Sequence, residues 1–285
     1  MVLGPDKGSG INISDTKGKK PAGTCACGFY FYLCRMRYFL EIAYDGTRFH
    51  GWQVQPNALT VQEVLEDCLG KVLREPISTT GSGRTDTGVH ASQQFVHFDT
   101  AQQLDLQQLV YRLNRILPAD ISASNLFLVP DEAHARYDAF ARTYHYHITL
   151  HKNPFKKYYA WYHSRALDVE KMNEAAAILL RQEDFTTFSK VKGDTKHYRC
   201  DMYEAVWRQE GEELIFTIRA NRFLRGMVRL IVGTLVDVGK GKLTVQAFEQ
   251  AVTSMDRSKS SGAAPSEGLY LAKVEYPPYI LTPSI

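Results

Sequence analysis

From residue 38 onward, apolar and polar positions follow regular periods. Residues 38–44 alternate and predict a strand, closed by the turn pair Asp45-Gly46. Residues 60–74 carry Val61, Val64, Leu65, Cys68, Leu69, Val72 and Leu73 at helical spacing. That is one apolar stripe, and Thr60 with Glu63 has the form of a capping box. Pro76 lies just past the expected helix end. A loop over 79–91 leads to a strand at 94–98. A helix over 104–117 turns Leu106, Leu109, Val110, Leu113 and Ile116 inward, and a strand follows over 121–129.

The second part of the chain echoes this order. Residues 143–150 alternate Tyr144, Tyr146, Ile148 and Leu150 against Thr143, His145, His147 and Thr149, which predicts another strand. A helix runs from Asp168, its expected N-cap, through Leu180. Segments 198–209 and 214–220 flank Glu210-Gly211-Glu212-Glu213 as a hairpin. Helices over 223–238 and 244–254 and a strand over 269–276 complete the pattern. Strands and helices repeated in this order predict an α+β chain in two similar halves, 36–135 and 136–285.

Charge changes the picture little until it is divided. Across 285 residues there are 34 basic and 31 acidic side chains. Residues 1–35 hold five of the basic and two of the acidic ones, which leaves 29 of each beyond. Any surface for a polyanion must therefore come from local clustering. Such a cluster exists in Lys190, Lys192, Lys196, Arg199, Arg219, Arg222 and Arg225, with Arg112 and Arg115 on a predicted helix. A set of solvated surface charges is the alternative reading. Cys25, Cys27 and Cys34 fall in the first 35 residues, leaving only Cys68 and Cys200. An odd total with isolated thiols and no signal-peptide pattern points to a reducing, cytoplasmic setting. No second pair follows Cys25-Ala-Cys27 at zinc spacing. Residues 1–35 read as an extension or tag ahead of a true start at Met36, without stable structure. No apolar run reaches the roughly 20 residues of a membrane helix.

One stretch carries candidate chemistry: Gly81-Ser82-Gly83-Arg84-Thr85-Asp86-Thr87-Gly88-Val89-His90-Ala91. Its three glycines permit tight turns and close backbone approach. They do not match the spacing of nucleotide-phosphate loops, so no nucleotide or dinucleotide cofactor is expected. From spacing alone, Asp86 reads more readily as a turn-capping residue beside a solvated Arg84 than as a functional one. His145-x-His147 sets two imidazoles on one strand face, with no third metal ligand at a telling spacing.

Several further motifs occur in a fixed order around this loop. They are Tyr44-Asp45-Gly46-Thr47, Phe49-His50-Gly51-Trp52-Gln53, Thr60-Val61-Gln62 and Ala141-Arg142-Thr143-Tyr144-His145-Tyr146. Asn221-Arg222-Phe223-Leu224-Arg225-Gly226-Met227-Val228-Arg229, Ile231-Val232-Gly233-Thr234-Leu235, Ala264-Pro265 and Gly268-Leu269-Tyr270-Leu271 complete the set. Together they resemble the pseudouridine synthase A family, tRNA enzymes that act on the anticodon stem-loop. The resemblance runs from Met36 to about Pro277. Ser82 and Thr87 depart from it, standing where the family usually has alanine.

The resemblance implies a mixed, largely antiparallel sheet in two halves around a central RNA-binding cleft, and a homodimer that shares one tRNA. It implies an isomerase that turns uridine into pseudouridine without cofactor or metal. The uridines lie at about positions 38, 39 and 40 and must be extruded from the stem to be reached. It places Asp86 as the essential carboxylate, Arg84 against the flipped nucleotide or a phosphate, Tyr144 on the uracil face and Arg229 paired with Asp86. Lys190, Lys192, Lys196, Arg199, Arg222 and Arg225 would grip the RNA backbone, which positions RNA without reading its sequence. His90 would hold the loop by a hydrogen bond. Two rivals use the same residues differently. A pure RNA-binding protein needs no carboxylate at position 86. A nucleoside hydrolase usually needs a second acid or base, for which no partner to Asp86 stands out.

Overall fold

The computed structural model describes residues 35–190 and 197–281, together with Met1. The extension over 2–34, and with it Cys25, Cys27 and Cys34, lies outside the described residues, as do Lys192 and Lys196. In chain order the first elements are β1 (Met36–Tyr44), α1 (Val61–Leu73), β2 (Thr80–Gly81), β3 (His90–Thr100), α2 (Leu106–Asn114) and β4 (Ile121–Val129). Then come β5 (Ala141–Thr149), β6 (Trp161–Tyr162), α3 (Val169–Leu179), β7 (Met202–Glu210) and β8 (Glu213–Ala220). The last are α4 (Met227–Gly239), α5 (Val245–Thr253), β9 (Leu269–Glu275) and α6 (Pro278–Leu281).

These make a mixed α/β structure with nine strands and six helices among the described residues. One sheet runs in the order β4-β1-β3-β9-β5-β8-β7, with β2 added on β3 and β6 on β5. Its pairs are antiparallel except β3 with β9 and β5 with β6. The closing strand β9 thus sits at the seam, between β3 of the first part and β5 of the second. Residues 35–281 belong to one compact unit.

Local chemistry accounts for most element boundaries. The Thr60 hydroxyl accepts from the Glu63 amide (3.4 Å) and starts α1, whose Val61, Leu65, Cys68, Leu69, Val72 and Leu73 are buried. Asp105, Asp168 and Thr244 cap α2, α3 and α5 in the same way, each cap worth about 1 kcal/mol. On β5, period-two alternation buries Tyr144, Tyr146 and Ile148, which share a face with Leu214, Phe216 and Ile218 of the adjacent β8. Helix α4 is apolar on nearly every side, and almost all of its residues are buried.

Strand β3 begins at His90, inside the loop expected over 79–91, and three further boundaries differ from the sequence pattern. The helix expected over 104–117 is shorter, because Asp105 caps it and the chain beyond Asn114 tightens into three-residue hydrogen bonds. Ile116 is thereby left exposed rather than inward. The helix expected from residue 223 begins at Met227, because Gly226 has φ of 71°, a left-handed conformation that interrupts the helix. Residues 198–201 do not extend the hairpin. The Tyr198 carbonyl accepts from the Phe185 amide, and the Cys200 amide donates to the Glu183 carbonyl.

A buried histidine at the heart of β3 makes stability pH-dependent. His97 accepts the Ala135 amide at Nδ1 (3.1 Å). Burial, and secondarily the Arg37 guanidinium, push its pKa down to about 4 from the ordinary 6.5. The unfolded chain takes up that proton near pH 6.5, whereas the folded chain resists until about pH 4. His97 therefore contributes stability above pH 6.5 that is lost as pH falls toward 4. Urea unfolding should show the midpoint falling over that window, and His97→Gln, which keeps an acceptor, should flatten the decline. A wild-type midpoint constant between pH 7 and 4 would contradict this assignment.

Candidate active site

The loop between β2 and β3 is pinned from behind by the chain that follows β1. The Ser82 amide donates to the Phe95 carbonyl (2.8 Å), and the Trp52 amide to the Thr85 carbonyl (3.2 Å). The Gly88 amide reaches the Phe49 carbonyl (3.2 Å), and the buried Tyr44 hydroxyl meets Thr85 Oγ1 at 2.9 Å. Glycine is required at 46, where an added Cβ would lie 2.0 Å from the Val89 carbonyl oxygen. His90 secures that contact. Its Nδ1 accepts from the Gly46 amide (3.1 Å), and its Nε2–H donates to the Tyr158 carbonyl (3.0 Å). The Asp45 carboxylate, 3.1 Å from Nδ1, favours an imidazolium, but burial outweighs it and lowers the His90 pKa. A buried neutral imidazole with both nitrogens engaged is a strut.

At the outer turn of this loop Asp86 meets three cations. Its Oδ1 lies 3.8 Å from Arg225 Nε, and its Oδ2 lies 3.8 Å from Arg229 Nη1 and 3.9 Å from Lys190 Nζ. All three exceed hydrogen-bond distance. They set positive charge around the carboxylate, and among the described residues its lone pairs are unengaged. Arg229, in the first turn of α4, is the best fixed. Its Nε donates to the Ala264 carbonyl (2.7 Å), and its own carbonyl accepts the Ala264 amide (2.9 Å). The Arg225 side chain is 77% exposed and stands at the solvent edge of the group. The Lys190 amide bonds the Arg225 carbonyl (3.4 Å), joining the two segments.

Tyr144 is buried on β5 with its ring edge-to-face on Phe223, centroids 5.0 Å apart. Burial pushes its hydroxyl up to about 12; the nearby Arg142 charge opposes the rise and Asp86 adds to it. The Tyr144 phenol therefore stays protonated at neutral pH within the field of the carboxylate.

Arg142 is the residue whose part the sequence did not disclose. Almost wholly buried, it meets no carboxylate among the described residues and spends its donors on main-chain carbonyls. Nη2 reaches Ser82 (3.0 Å) and Arg136, and Nη1 reaches Ala139 and Asn221, both at 2.9 Å. One guanidinium thus joins the Asp86 loop, the connection before β5 and the segment that leads to Arg225 and Arg229. The hint lay in its position two residues before Tyr144, on the inward face of a strand where a charged residue is out of place.

The other candidate residues lie as follows. Arg84 and Arg199 are exposed, with no ion pair among the described residues. Arg222 Nη1 lies 3.1 Å from His197 Nε2. Arg219 does not belong with the cations around Asp86. Strand alternation puts it on the opposite sheet face from Tyr144, where it pairs with Glu275 (2.7 Å). Arg112 donates to the Val72 carbonyl and holds two helices together. His147 Nδ1 meets Glu213 (2.9 Å). Among the described residues no group of three His, Cys, Asp or Glu is placed to hold a metal ion.

Replacing Arg142 by methionine should strand several buried carbonyls, each worth about 1–3 kcal/mol. We expect a loss of about 3 kcal/mol in urea unfolding, with roughly half recovered in Arg142→Lys. Amide hydrogen exchange in residues 82–89 should accelerate before exchange in the central strands does. Unchanged loop exchange in Arg142→Met would refute the strapping role.

Comparison with known proteins identifies the family. A family model described as tRNA pseudouridine synthase matches residues 42–138 and 175–277. A tRNA pseudouridine synthase A from Bacteroides thetaiotaomicron is 50% identical over 244 residues, covering 85% of this chain and 91% of that one. The protein of that name from Bacteroides fragilis is 49% identical over 243 residues, 85% of this chain and 96% of its own. One from Bacillus subtilis is 38% identical over 245 residues, covering 85% and 99%. The nine-stranded sheet and its helices fit the pseudouridine synthase fold, and with matches of this extent the chain belongs to the tRNA pseudouridine synthases, a family of isomerases.

Proposed function

We propose that this protein converts uridine to pseudouridine in the anticodon stem-loop of tRNA, at about positions 38, 39 and 40, after extruding each target from the stem. The observation that carries the reading is the Asp86 carboxylate, ringed by Arg229, Arg225 and Lys190 at 3.8–3.9 Å, with both oxygens free of hydrogen bonds among the described residues. That its relatives are tRNA pseudouridine synthases A supports tRNA as the substrate.

The reaction breaks the N1–C1′ bond, turns the uracil and joins C5 to C1′. A proton leaves C5 and N1 gains one, so no electrons enter or leave. An ionised carboxylate serves each available route: addition to the ring, attack on C1′, or removal of a sugar proton. Arg229, Arg225 and Lys190 stand beside the carboxylate without hydrogen-bonding to it. Tyr144 offers a ring edge and a protonated hydroxyl to the everted base. Arg84, exposed two residues before Asp86, reaches a phosphate or the nucleotide itself. Arg199, Arg222 and Arg225, with Lys190, Lys192 and Lys196, hold the RNA backbone.

The two halves, 36–135 and 136–285, supply the carboxylate and its three cations respectively. The working unit is a homodimer in the cytoplasm that needs no cofactor. Among the described residues no helix is long and apolar enough to cross a membrane.

Carbodiimide-based primer extension on unmodified tRNA is the test. Wild type should create new stops in the anticodon stem-loop. Asp86→Asn should slow their appearance at least about 100-fold while tRNA binding persists. Binding should weaken steeply as salt rises. An Asp86→Asn protein that modifies tRNA as fast as wild type, or release of free uracil, would overturn the proposal.

A further inference from the structure

The three cations beside Asp86 are not equally fixed. The Arg225 and Lys190 side chains are 77% and 41% exposed, whereas that of Arg229 is only 20% exposed. Arg229 is gripped by Ala264, whose carbonyl takes its Nε–H (2.7 Å) and whose amide donates to the Arg229 carbonyl (2.9 Å). Where this guanidinium points therefore depends on what holds Ala264.

Ala264 is buried in the loop Ser261-Gly262-Ala263-Ala264-Pro265-Ser266-Glu267-Gly268. Pro265 biases the residue before it toward extended backbone. An extended residue turns its amide and carbonyl to one side, as Ala264 does toward Arg229. Two hydroxyls anchor the loop, one on each side of Ala264. Upstream, the Ser261 amide donates to Thr234 Oγ1 (3.1 Å), and that hydroxyl gives its own hydrogen to the Leu230 carbonyl (2.8 Å), one turn earlier in α4. Downstream, the Tyr146 hydroxyl donates to the Pro265 carbonyl (2.8 Å). Both side chains are fully buried. The loop is also wedged sterically. A Cβ at Gly233 would lie 2.0 Å from the Gly262 carbonyl oxygen, and one at Gly88, in the Asp86 loop, 2.7 Å from Ser266 Oγ.

Taken singly, each hydroxyl is ordinary: a helical threonine often bonds the preceding turn, and a buried tyrosine needs an acceptor. Together they bracket the residue whose backbone holds Arg229. We propose that Tyr146 and Thr234 are positioning residues for the reaction: their hydroxyls brace the loop 261–268 and, through Ala264, hold the Arg229 guanidinium at its distance from Asp86. The inference rests on the proposed pseudouridine synthesis and adds to it two side chains that act only through Arg229.

The test uses full-length proteins on transcribed tRNA, in single turnover with enzyme in excess. Tyr146→Phe and Thr234→Val keep the side-chain shape and remove only the hydroxyl. Each should slow conversion about tenfold, since small displacements of a reacting site are costly, while the Kd for tRNA stays within about twofold of wild type. Thr234→Ser, which restores the hydroxyl, should recover most of the rate. Arg229→Lys keeps the charge but has no Nε–H to give Ala264, so adding Tyr146→Phe in that background should slow the reaction by less than about twofold further. The same tenfold loss in both backgrounds would mean a general loosening of the core and would defeat the assignment. Wild-type rates in Tyr146→Phe and Thr234→Val, or a loss carried by Kd, would defeat it equally. If circular dichroism shows Thr234→Val unfolded, the Tyr146→Phe pair decides alone. A wild type that forms no pseudouridine would sink the reaction itself, whereas an active wild type with unaffected variants sinks only this role.

Discussion

The structure turns on a carboxylate placed among cations but not bonded to them. A direct Arg–Asp fork would satisfy Asp86 and make it inert, because bidentate pairs engage both carboxylate oxygens. Here Arg225, Arg229 and Lys190 stop nearly an ångström short of such contact. Among the described residues both oxygens remain available to an incoming atom. Arg229 can hold this distance because two hydrogen bonds to Ala264 fix it. Arg225, at the solvent edge, can move.

Such spacing persists only if the backbone beneath it is rigid. The Asp86 loop is gripped on one side by residues 44–52 and His90, and on the other by Arg142. Burying a guanidinium without a counter-charge is unfavourable in itself. The expense is offset because carbonyls from four residues accept its hydrogens, and those carbonyls come from the segments that must keep register. The parallel pairing of β3 with β9 reinforces this, since it seats the closing strand against both the Asp86 half and the Tyr144 half.

Much of this architecture was legible in the sequence, for reasons that differ by element. The α1 stripe and its Thr60 cap are local, so periodicity and capping chemistry locate them almost to the residue. The β5 alternation did the same for Tyr144 and Tyr146. The start of α4 was misplaced because Phe223, Leu224 and Met227 continue a helical apolar pattern, while Gly226 takes a left-handed turn against the Lys190 side chain, far off in sequence. Arg219 was grouped with the basic residues near it in sequence, although strand alternation carries it to the far face. Asp86 itself looked like an ordinary turn residue until the surrounding motifs gave it a family. What makes it special is contact with side chains more than 100 residues away, which no local pattern encodes. Arg142 was missed for the same reason, since its partners are main-chain carbonyls and leave no trace in side-chain identity.

The most direct measurement is a crystal structure of the Asp86→Asn protein bound to tRNA. The account predicts a target uridine everted from the stem, its base edge against Tyr144, and its C1′ or C6 within about 3.5 Å of the residue 86 side chain. A uridine still stacked in the helix, or one everted into a pocket from which residue 86 faces away, would contradict it.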